Sequence, residues 1–134
     1  MNNTVVYSLI CTAHNIEDEL EDALAAVNLS TPKFAALAKM AAEGRPMSLS
    51  DLASKLTCVR SNITQLVDRM EKDGLVRRID HPSDRRGVRA ELTPLGRERF
   101  HAGQEAANKI HQEIEKKLSA ADQKALEHAL KLLS

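Results

Sequence analysis

The 134-residue sequence predicts a mainly α-helical fold with one β-hairpin, and three observations support this prediction. Apolar residues recur at the 3.6-residue period of an amphipathic helix over most of the chain. Ser, Thr, Pro and Gly stand where those segments should begin and end. Two short segments rich in β-type residues, LVRRI and VRAEL, flank the turn-rich sequence DHPSDRRG. The predicted order is four helices, a hairpin and two further helices.

Capping residues set the expected helix boundaries. Four predicted helices follow side chains that can accept hydrogen bonds from a first turn: Ser30 or Thr31, Ser48, Thr93 and Ser119. Pro32 and Pro94 suit a first helical turn. Gly44 and Gly74 are expected to end the second and fourth helices. The first helix, from about residue 6 to 27, carries an apolar face and an acidic face.

A helix-turn-helix is predicted where SLSDLASKL is followed closely by RSNITQLVDRMEKDG. The apolar face of the second of these helices consists of Ile63, Leu66, Val67 and Met70. At about 100° per residue, the opposite face presents Ser61, Gln65, Asp68 and Lys72, flanked by Asn62, Thr64 and Arg69. A polar face that is merely solvated is the alternative.

The charge distribution favours an anionic partner, although the chain holds 19 basic and 19 acidic residues. Residues 45–97 contain 11 Lys and Arg against 7 Asp and Glu, whereas the flanks contain 8 against 12. A basic middle of this kind can mark a nucleic-acid partner, and ordinary surface variation is the alternative.

The predicted helix-turn-helix carries side chains suited to duplex DNA. The expected readers of base edges in the major groove are Ser61, Asn62 and Gln65. The expected phosphate contacts are Arg60, Thr64 and Arg69.

The predicted hairpin adds a second DNA contact. Arg85 and Arg86 at its tip are placed to enter the minor groove, where negative potential is concentrated, and Asp84 is placed to orient Arg86. A solubilising pair of arginines in a surface turn is the alternative.

Four segments, LSTPKFAAL, SLSDLASKL, RSNITQLVDRMEKDGLVRR and DHPSDRRGVRAELTPLG, resemble successive signatures of the MarR family of bacterial transcription regulators. The resemblance is close over residues 29–97. Its most specific element comprises Asp84, Arg86, Leu92, Thr93 and Gly96. It implies a winged helix-turn-helix, an obligate homodimer and a pseudo-palindromic operator. It also implies a minor-groove role for Arg86, oriented by Asp84, and a small-molecule cleft between the dimer helices and the winged part.

The resemblance implies that residues 1–134 form one domain with three parts. The expected parts are a winged helix at 30–97, with its helix-turn-helix at about 48–73 and its wing at about 75–92, and dimerisation helices at 4–28 and 98–134.

The start of the recognition helix departs from the family pattern. A Ser or Thr cap is expected, but Val59 precedes Arg60 and Ser61, and Val cannot supply a capping oxygen. Either Ser61 or Thr57 caps the helix, or the helix begins elsewhere. The outcome decides whether Ser61 can contact a base.

Two cysteines are candidate redox sites. Cys58 lies just before the recognition helix, where thiols can be reactive, and its oxidation would tilt that helix and release DNA. A small apolar filler is the alternative. Cys11 lies on the first helix with Tyr7, His14 and Asp18, a patch that fits a dimer interface, a redox or metal site, or plain surface. We expect no metal site, since Cys-x-x-His supplies two of the four ligands that zinc usually takes.

No enzyme is expected, because Gly-rich phosphate loops, nucleophile elbows and metalloprotease motifs are missing from the sequence, and no cofactor is implied. No apolar run approaches the roughly 18 residues of a membrane span, and the N-terminus lacks signal-peptide features. These features predict a cytoplasmic protein with no membrane partner.

We therefore expect a homodimeric transcriptional regulator, acting as a repressor, that binds double-stranded DNA and is released by a small-molecule effector or by cysteine oxidation. Two alternatives stay open. One is a winged helix that binds an acidic protein partner, and the other is an architectural DNA-binding protein without an effector.

Overall fold

The computed structural model describes residues 4–56, 62–80 and 87–134. The helices are α1 (Thr4–Ala25), α2 (Thr31–Glu43), α3 (Leu49–Lys55), α4 (Ile63–Lys72), α5 (Pro94–Lys117) and α6 (Ala120–Leu133). The strands are β1 (Met47–Ser48), β2 (Val76–Asp80) and β3 (Val88–Leu92). The predicted order of helices and hairpin is confirmed, with the short strand β1 added before α3.

The three strands form an antiparallel sheet in the order β1-β3-β2. In the β2–β3 hairpin Val76 lies opposite Leu92, and on the other edge Met47 of β1 lies opposite Ala90 of β3. The strand β1 was not predicted, because two residues are too few to show the alternation that marks a strand. Through its pairing with β3, β1 holds the start of α3 against the hairpin.

The predicted caps are confirmed at four helix starts. The side chains of Ser30, Ser48, Thr93 and Ser119 accept hydrogen bonds from backbone N–H groups in the first turns of α2, α3, α5 and α6. Of the two candidates before α2, Ser30 is the cap. Gly44 ends α2 with φ of 70°, a left-handed conformation that glycine adopts without a steric penalty.

The end of α4 lies one residue earlier than predicted. Asp73 is the C-cap, and Gly74 follows it with φ of 77°. The N–H of Leu75 then donates to the carbonyl oxygen of Met70 at 2.9 Å, which closes the last turn. The chain thus reverses sharply from α4 into β2.

The core is aliphatic, in keeping with the 2% aromatic content of the sequence, and lies between the end of α1, the helices α2, α3 and α4, and the sheet. Its largest fully buried side chains are Leu24, Leu37, Leu52, Val67, Met70, Leu75 and Val76. At its edge the rings of Phe34 in α2 and Phe100 in α5 stack with centroids 5.9 Å apart. The winged part and α5 are therefore packed directly together.

The first and last helices expose much of their apolar surface. Leu24 is the buried residue of α1, and α6 has no buried residue. The exposed large apolar side chains of these two helices are Val5, Val6, Tyr7, Leu9, Ile10, Ile16, Leu126, Leu130, Leu132 and Leu133. The amphipathic pattern predicted for α1 is present, but within one described chain only its C-terminal end packs inward.

Candidate nucleic-acid interface

The recognition helix begins at Asn62, which caps it. The Asn62 Oδ1 atom accepts the backbone N–H groups of Thr64 at 3.1 Å and Gln65 at 3.3 Å. Of the starts that the sequence left open, the shifted one is therefore correct. Asn is among the strongest N-cap residues, so the local sequence contained this signal, and the expectation of Ser or Thr passed over it.

Capping restricts what Asn62 can offer to a ligand. A bidentate contact with adenine needs the amide oxygen and the amide nitrogen together. While Oδ1 holds two backbone N–H groups, the Nδ2 amide group can only donate. Asn62 is therefore suited to acceptors such as guanine N7 or O6, thymine O4 or a phosphate oxygen.

The predicted orientation of α4 is confirmed. Leu66, Val67 and Met70 are buried in the core. The side chains predicted to contact DNA on the described part of α4 and its cap are exposed: Asn62, Thr64, Gln65 and Arg69. Gln65 and Arg69 lie one turn apart on the same side of the helix.

The first turn of α2 borders this exposed face. A depression of about 160 Å³ is lined by Ser30, Pro32, Lys33, Asn62, Gln65, Leu66 and Arg69. Lys33 also forms an ion pair with Asp73 at 2.7 Å, which joins the start of α2 to the end of α4. Sequence reasoning did not bring these two elements together.

Asp68 lies at the border of the exposed face of α4, with its side chain 45% exposed. It was predicted to point outward, and its carboxylate also forms an ion pair, not predicted from the sequence, with the guanidinium of Arg78 in β2. The next turn of α4 takes part as well, since the backbone N–H of Arg78 donates to Glu71 Oε2 at 3.0 Å. The polar face of α4 thus divides into a solvent-facing part and a part that holds the hairpin.

Thr93 and Gly96 join the hairpin to the end of α4. The Thr93 hydroxyl donates to the carbonyl oxygen of Gly74 at 2.5 Å and accepts the N–H of Gly96 at 3.0 Å. A Cβ atom at Gly96 would lie 2.1 Å from the carbonyl oxygen of Leu75. The L-T-x-x-G motif therefore fixes the root of the hairpin against the turn that follows α4.

Six residues predicted to matter for DNA binding or sensing lie outside the described residues: Cys58, Arg60, Ser61, Asp84, Arg85 and Arg86. Their roles stay predictions.

A cleft of about 400 Å³ lies between α2, β3 and α5. Its lining includes Met40, Arg45, Leu92, Arg97, Phe100 and His101. Aromatic residues make up only 2% of the sequence, yet Phe100 borders this cleft, together with the imidazole of His101. Their proximity to Met40 follows from the packing of α5 on α2 and has no local sequence signal.

An acidic residue links α2 to α3 beside this cleft. Glu43 accepts hydrogen bonds from Lys55 at 2.9 Å and from Arg45 at 3.0 Å. These contacts lower the pKa of Glu43 below its ordinary value of 4.5. The hydrogen bond from Lys55 is the main cause, and the hydrogen bond from Arg45 is the second.

The structure gives no disulfide or metal site at the remaining candidate residues that it describes. Cys11 is a free, exposed cysteine on α1. Across residues 4–56, 62–80 and 87–134, no three His, Cys, Asp or Glu side chains lie close enough to hold a metal ion. Among the helices described, none combines the length and apolar character needed to cross a bilayer.

Comparison with known proteins agrees with this architecture. The MarR family model matches residues 29–88. The multiple antibiotic resistance protein MarR of Salmonella typhimurium is 30% identical over 115 residues, which cover 84% of this chain and 78% of that protein. The homoprotocatechuate degradative operon repressor of Escherichia coli is 30% identical over 94 residues, covering 70% of this chain and 64% of the repressor. This chain thus spans somewhat less than two thirds of that repressor.

A solved structure extends the likeness to nearly the whole chain. A variant of MarR from Escherichia coli, complexed with operator DNA, superimposes with a TM-score of 0.82 at 25% identity. The match covers 98% of this chain and 96% of that one. Because of this sequence identity, coverage and shared fold, the chain belongs to the MarR family of transcriptional regulators.

Proposed function

We propose that the protein is a sequence-specific transcriptional regulator that binds a pseudo-palindromic DNA operator as a homodimer. The observation that carries the proposal is the exposed face of α4. Thr64, Gln65 and Arg69 face solvent on a helix whose other side is buried, in a chain of the MarR family.

Each side chain has a distinct role in this proposal. Gln65 bonds a base edge, and adenine is the base that an amide can contact with both groups. Asn62 donates to an acceptor from its capping position, and Ser61 contacts a neighbouring base. The phosphate contacts are assigned to Arg60, Thr64 and Arg69.

The wing supplies a minor-groove contact. Arg86 enters the narrow groove beside the major-groove site, Asp84 orients it, and Arg85 adds attraction to the phosphates. With one recognition helix from each subunit, the two half-sites lie about 10 base pairs apart.

The exposed apolar faces of α1 and α6 support the homodimer. Large contiguous apolar patches are uncommon on monomers and mark surfaces that another chain covers. In the proposed dimer α1, α5 and α6 of both subunits pack together, and this contact sets the separation of the two recognition helices.

Regulation is proposed to act on that separation. The protein acts as a repressor, in line with the repressor to which it is similar. A small-molecule effector, for which the cleft between α2 and α5 is the candidate site, must bind one state of the dimer more tightly than the other. Oxidation of Cys58 is the second candidate for release. The proposal includes no catalytic step, cofactor or metal and places the protein in the cytoplasm, with bacterial DNA.

Fluorescence anisotropy tests the proposal. DNA fragments recovered by random-sequence selection would be compared with scrambled DNA over a salt series. A specific regulator should bind its selected fragment at least about a thousandfold more tightly than scrambled DNA. Gln65→Ala should narrow that ratio, whereas Gln104→Ala, which removes an exposed glutamine on α5, should leave it unchanged.

The two alternatives give different results in the same experiment. Equal, weak binding to all fragments, with no motif from the selection, would contradict the proposal and favour an acidic protein partner. Tight binding with a ratio near one would indicate an architectural DNA-binding protein.

A further inference from the structure

We propose that Arg78 is a positioning residue that holds α4 at a fixed angle to the wing strand β2. In this role it supports discrimination between operator and other DNA without touching DNA. The inference rests on the proposed function and adds to it a residue outside the predicted contact surface.

The contacts of Arg78 bind both its side chain and its backbone to α4. Its Nη2 atom pairs with Asp68, and its Nη1 atom lies 3.9 Å from Glu71 Oε1. Its backbone N–H donates to Glu71 Oε2 at 3.0 Å. Asp68 and Glu71 are three residues apart and so lie on one side of the helix. Two successive turns of α4 are thereby tied to one residue of β2.

The guanidinium of Arg78 is turned into the molecule. Its side chain is 30% exposed, and its Nε atom is buried with no hydrogen-bond partner among the described residues. Arg77, the preceding residue of β2, is 69% exposed and pairs with Glu91 across the hairpin. Arg77 therefore faces solvent, whereas Arg78 faces the recognition helix.

The two carboxylates on α4 need an explanation in a protein that binds a polyanion. Unpaired, Asp68 and Glu71 would repel phosphates near the recognition surface. Arg78 offsets one of these two negative charges and also links the helix to the wing. Removing one partner leaves the opposite charge without its counter-ion, whereas replacing Arg78 and Asp68 together by amides leaves two neutral side chains that can still hydrogen-bond.

The angle between α4 and β2 matters because each element carries part of the DNA contact. The residues proposed for the major groove lie on α4, and those proposed for the minor groove fall between β2 and β3 in the sequence. The chain passes from α4 to β2 through the turn at Gly74, and glycine restrains the backbone less than any other residue. Thr93 fixes the hairpin at this turn, and Arg78 contacts α4 farther along β2. Contacts across the turn must therefore hold the angle.

The test compares Arg78→Gln, Asp68→Asn and the double variant in the anisotropy assay. Each single variant should reduce the ratio of selected to scrambled affinity roughly tenfold, within the range of coupled neighbours. The double variant should lose less than the two single effects combined, because a neutral amide pair replaces the ion pair. Arg77→Gln is the matched control, since it removes the same charge one residue away, and it should leave the ratio near that of the wild type.

The salt series separates positioning from direct contact. A lost phosphate contact lowers the slope of log affinity against log salt by about 0.9. Arg78→Gln should keep the wild-type slope while its ratio falls, with far-ultraviolet circular dichroism showing that the variant is folded. A reduced slope, an unchanged ratio, or an altered base preference for Asp68→Asn would each overturn the positioning role. A wild-type protein that does not discriminate would instead overturn the proposed function itself, and the positioning role with it.

Discussion

The side chain of Asn62 has two roles, capping α4 and the proposed contact with DNA. Its oxygen satisfies backbone N–H groups that would otherwise lack partners at the start of α4, and its amide nitrogen is the group proposed to donate to DNA. The cap also orders the first turn of the recognition helix, where the base readers are expected. The stability of the helix and the proposed recognition of DNA thus both depend on this residue.

Substitutions at Asn62 should separate the two roles. Asn62→Ala should lower the free energy of unfolding by about 1 kcal/mol, because the cap is lost. Asn62→Ser should retain most of that stability, since Ser is also a good cap, but it should weaken operator binding because the amide donors are gone. Urea unfolding and anisotropy measure the two effects. Equal losses of stability in both variants would argue against the capping role.

Gly96 and Gly103 should respond differently to the same substitution. Gly96→Ala places a Cβ against the backbone carbonyl of Leu75, which cannot move without opening the hairpin root, and we expect a loss of about 1–3 kcal/mol. The atoms nearest to a Cβ at Gly103 belong to the side chains of Phe34, at 2.7 Å, and Leu29, at 2.8 Å, and a side chain can shift more readily than the backbone. The gain in helix propensity, about 1 kcal/mol, offsets much of that cost.

Urea unfolding of the two variants, with Glu98→Ala on the exposed side of α5 as control, measures this difference. A Gly103→Ala variant less stable than Gly96→Ala would contradict the explanation given for the L-T-x-x-G motif.

The lowered pKa of Glu43 predicts a pH-dependent contribution to stability. A depressed folded-state pKa means that the ionised form is favoured by folding, so the contribution is present above the ordinary value of 4.5 and is lost as pH falls through the lower folded value. Glu43→Gln should therefore be less stable than the wild type at neutral pH, and the difference should vanish in acid. Thermal unfolding between pH 7 and about pH 3 checks this, with Glu98→Gln as the exposed control.

At the scale of elements, local signals in the sequence predicted the structure well. The caps at Ser30, Ser48, Thr93 and Ser119 and the end of α2 at Gly44 each depend on a few neighbouring residues. The apolar stripe of α4 likewise gave its orientation correctly, because a helix with one buried face leaves little choice of rotation.

Features that depend on contacts between elements were not predictable. The strand β1 exists because β3 offers a free edge to Met47 and Ser48, and its two residues have no pattern of their own. The pairing of Arg78 with Asp68 was missed because helical periodicity treats each polar residue as facing solvent. The lining of the cleft by Phe100 became evident only once α5 was packed on α2. Arg85 and Arg86 lie outside the described residues, and their place at the hairpin tip stays a prediction from the sequence.

For the whole molecule, the exposed apolar faces of α1 and α6 predict the state of assembly. Light scattering after size exclusion should give about twice the chain mass of 14.8 kDa. Leu130→Glu should shift the protein towards the monomer, because it places a charge in the apolar face of α6. His128→Glu, on the polar side of the same helix, is the matched control and should leave the mass unchanged. A monomeric wild type would contradict the proposed dimer.

The close contact at Gly103 and the stacked rings of Phe34 and Phe100 hold α5 against α2 near the middle of the helix, so a tilt of α5 at one end would move its other end. The helix has 24 residues, so at 1.5 Å per residue it is about 36 Å long. Its N-terminal end is fastened to the hairpin root through Thr93, and its C-terminal end reaches the proposed subunit contact. A tilt of about 5° at one end displaces the other by about 3 Å on this length. Release from DNA would then require no unfolding and no large rearrangement. A small rotation of α5 would suffice, because it would change the spacing of the two recognition helices so that they no longer match one turn of the double helix.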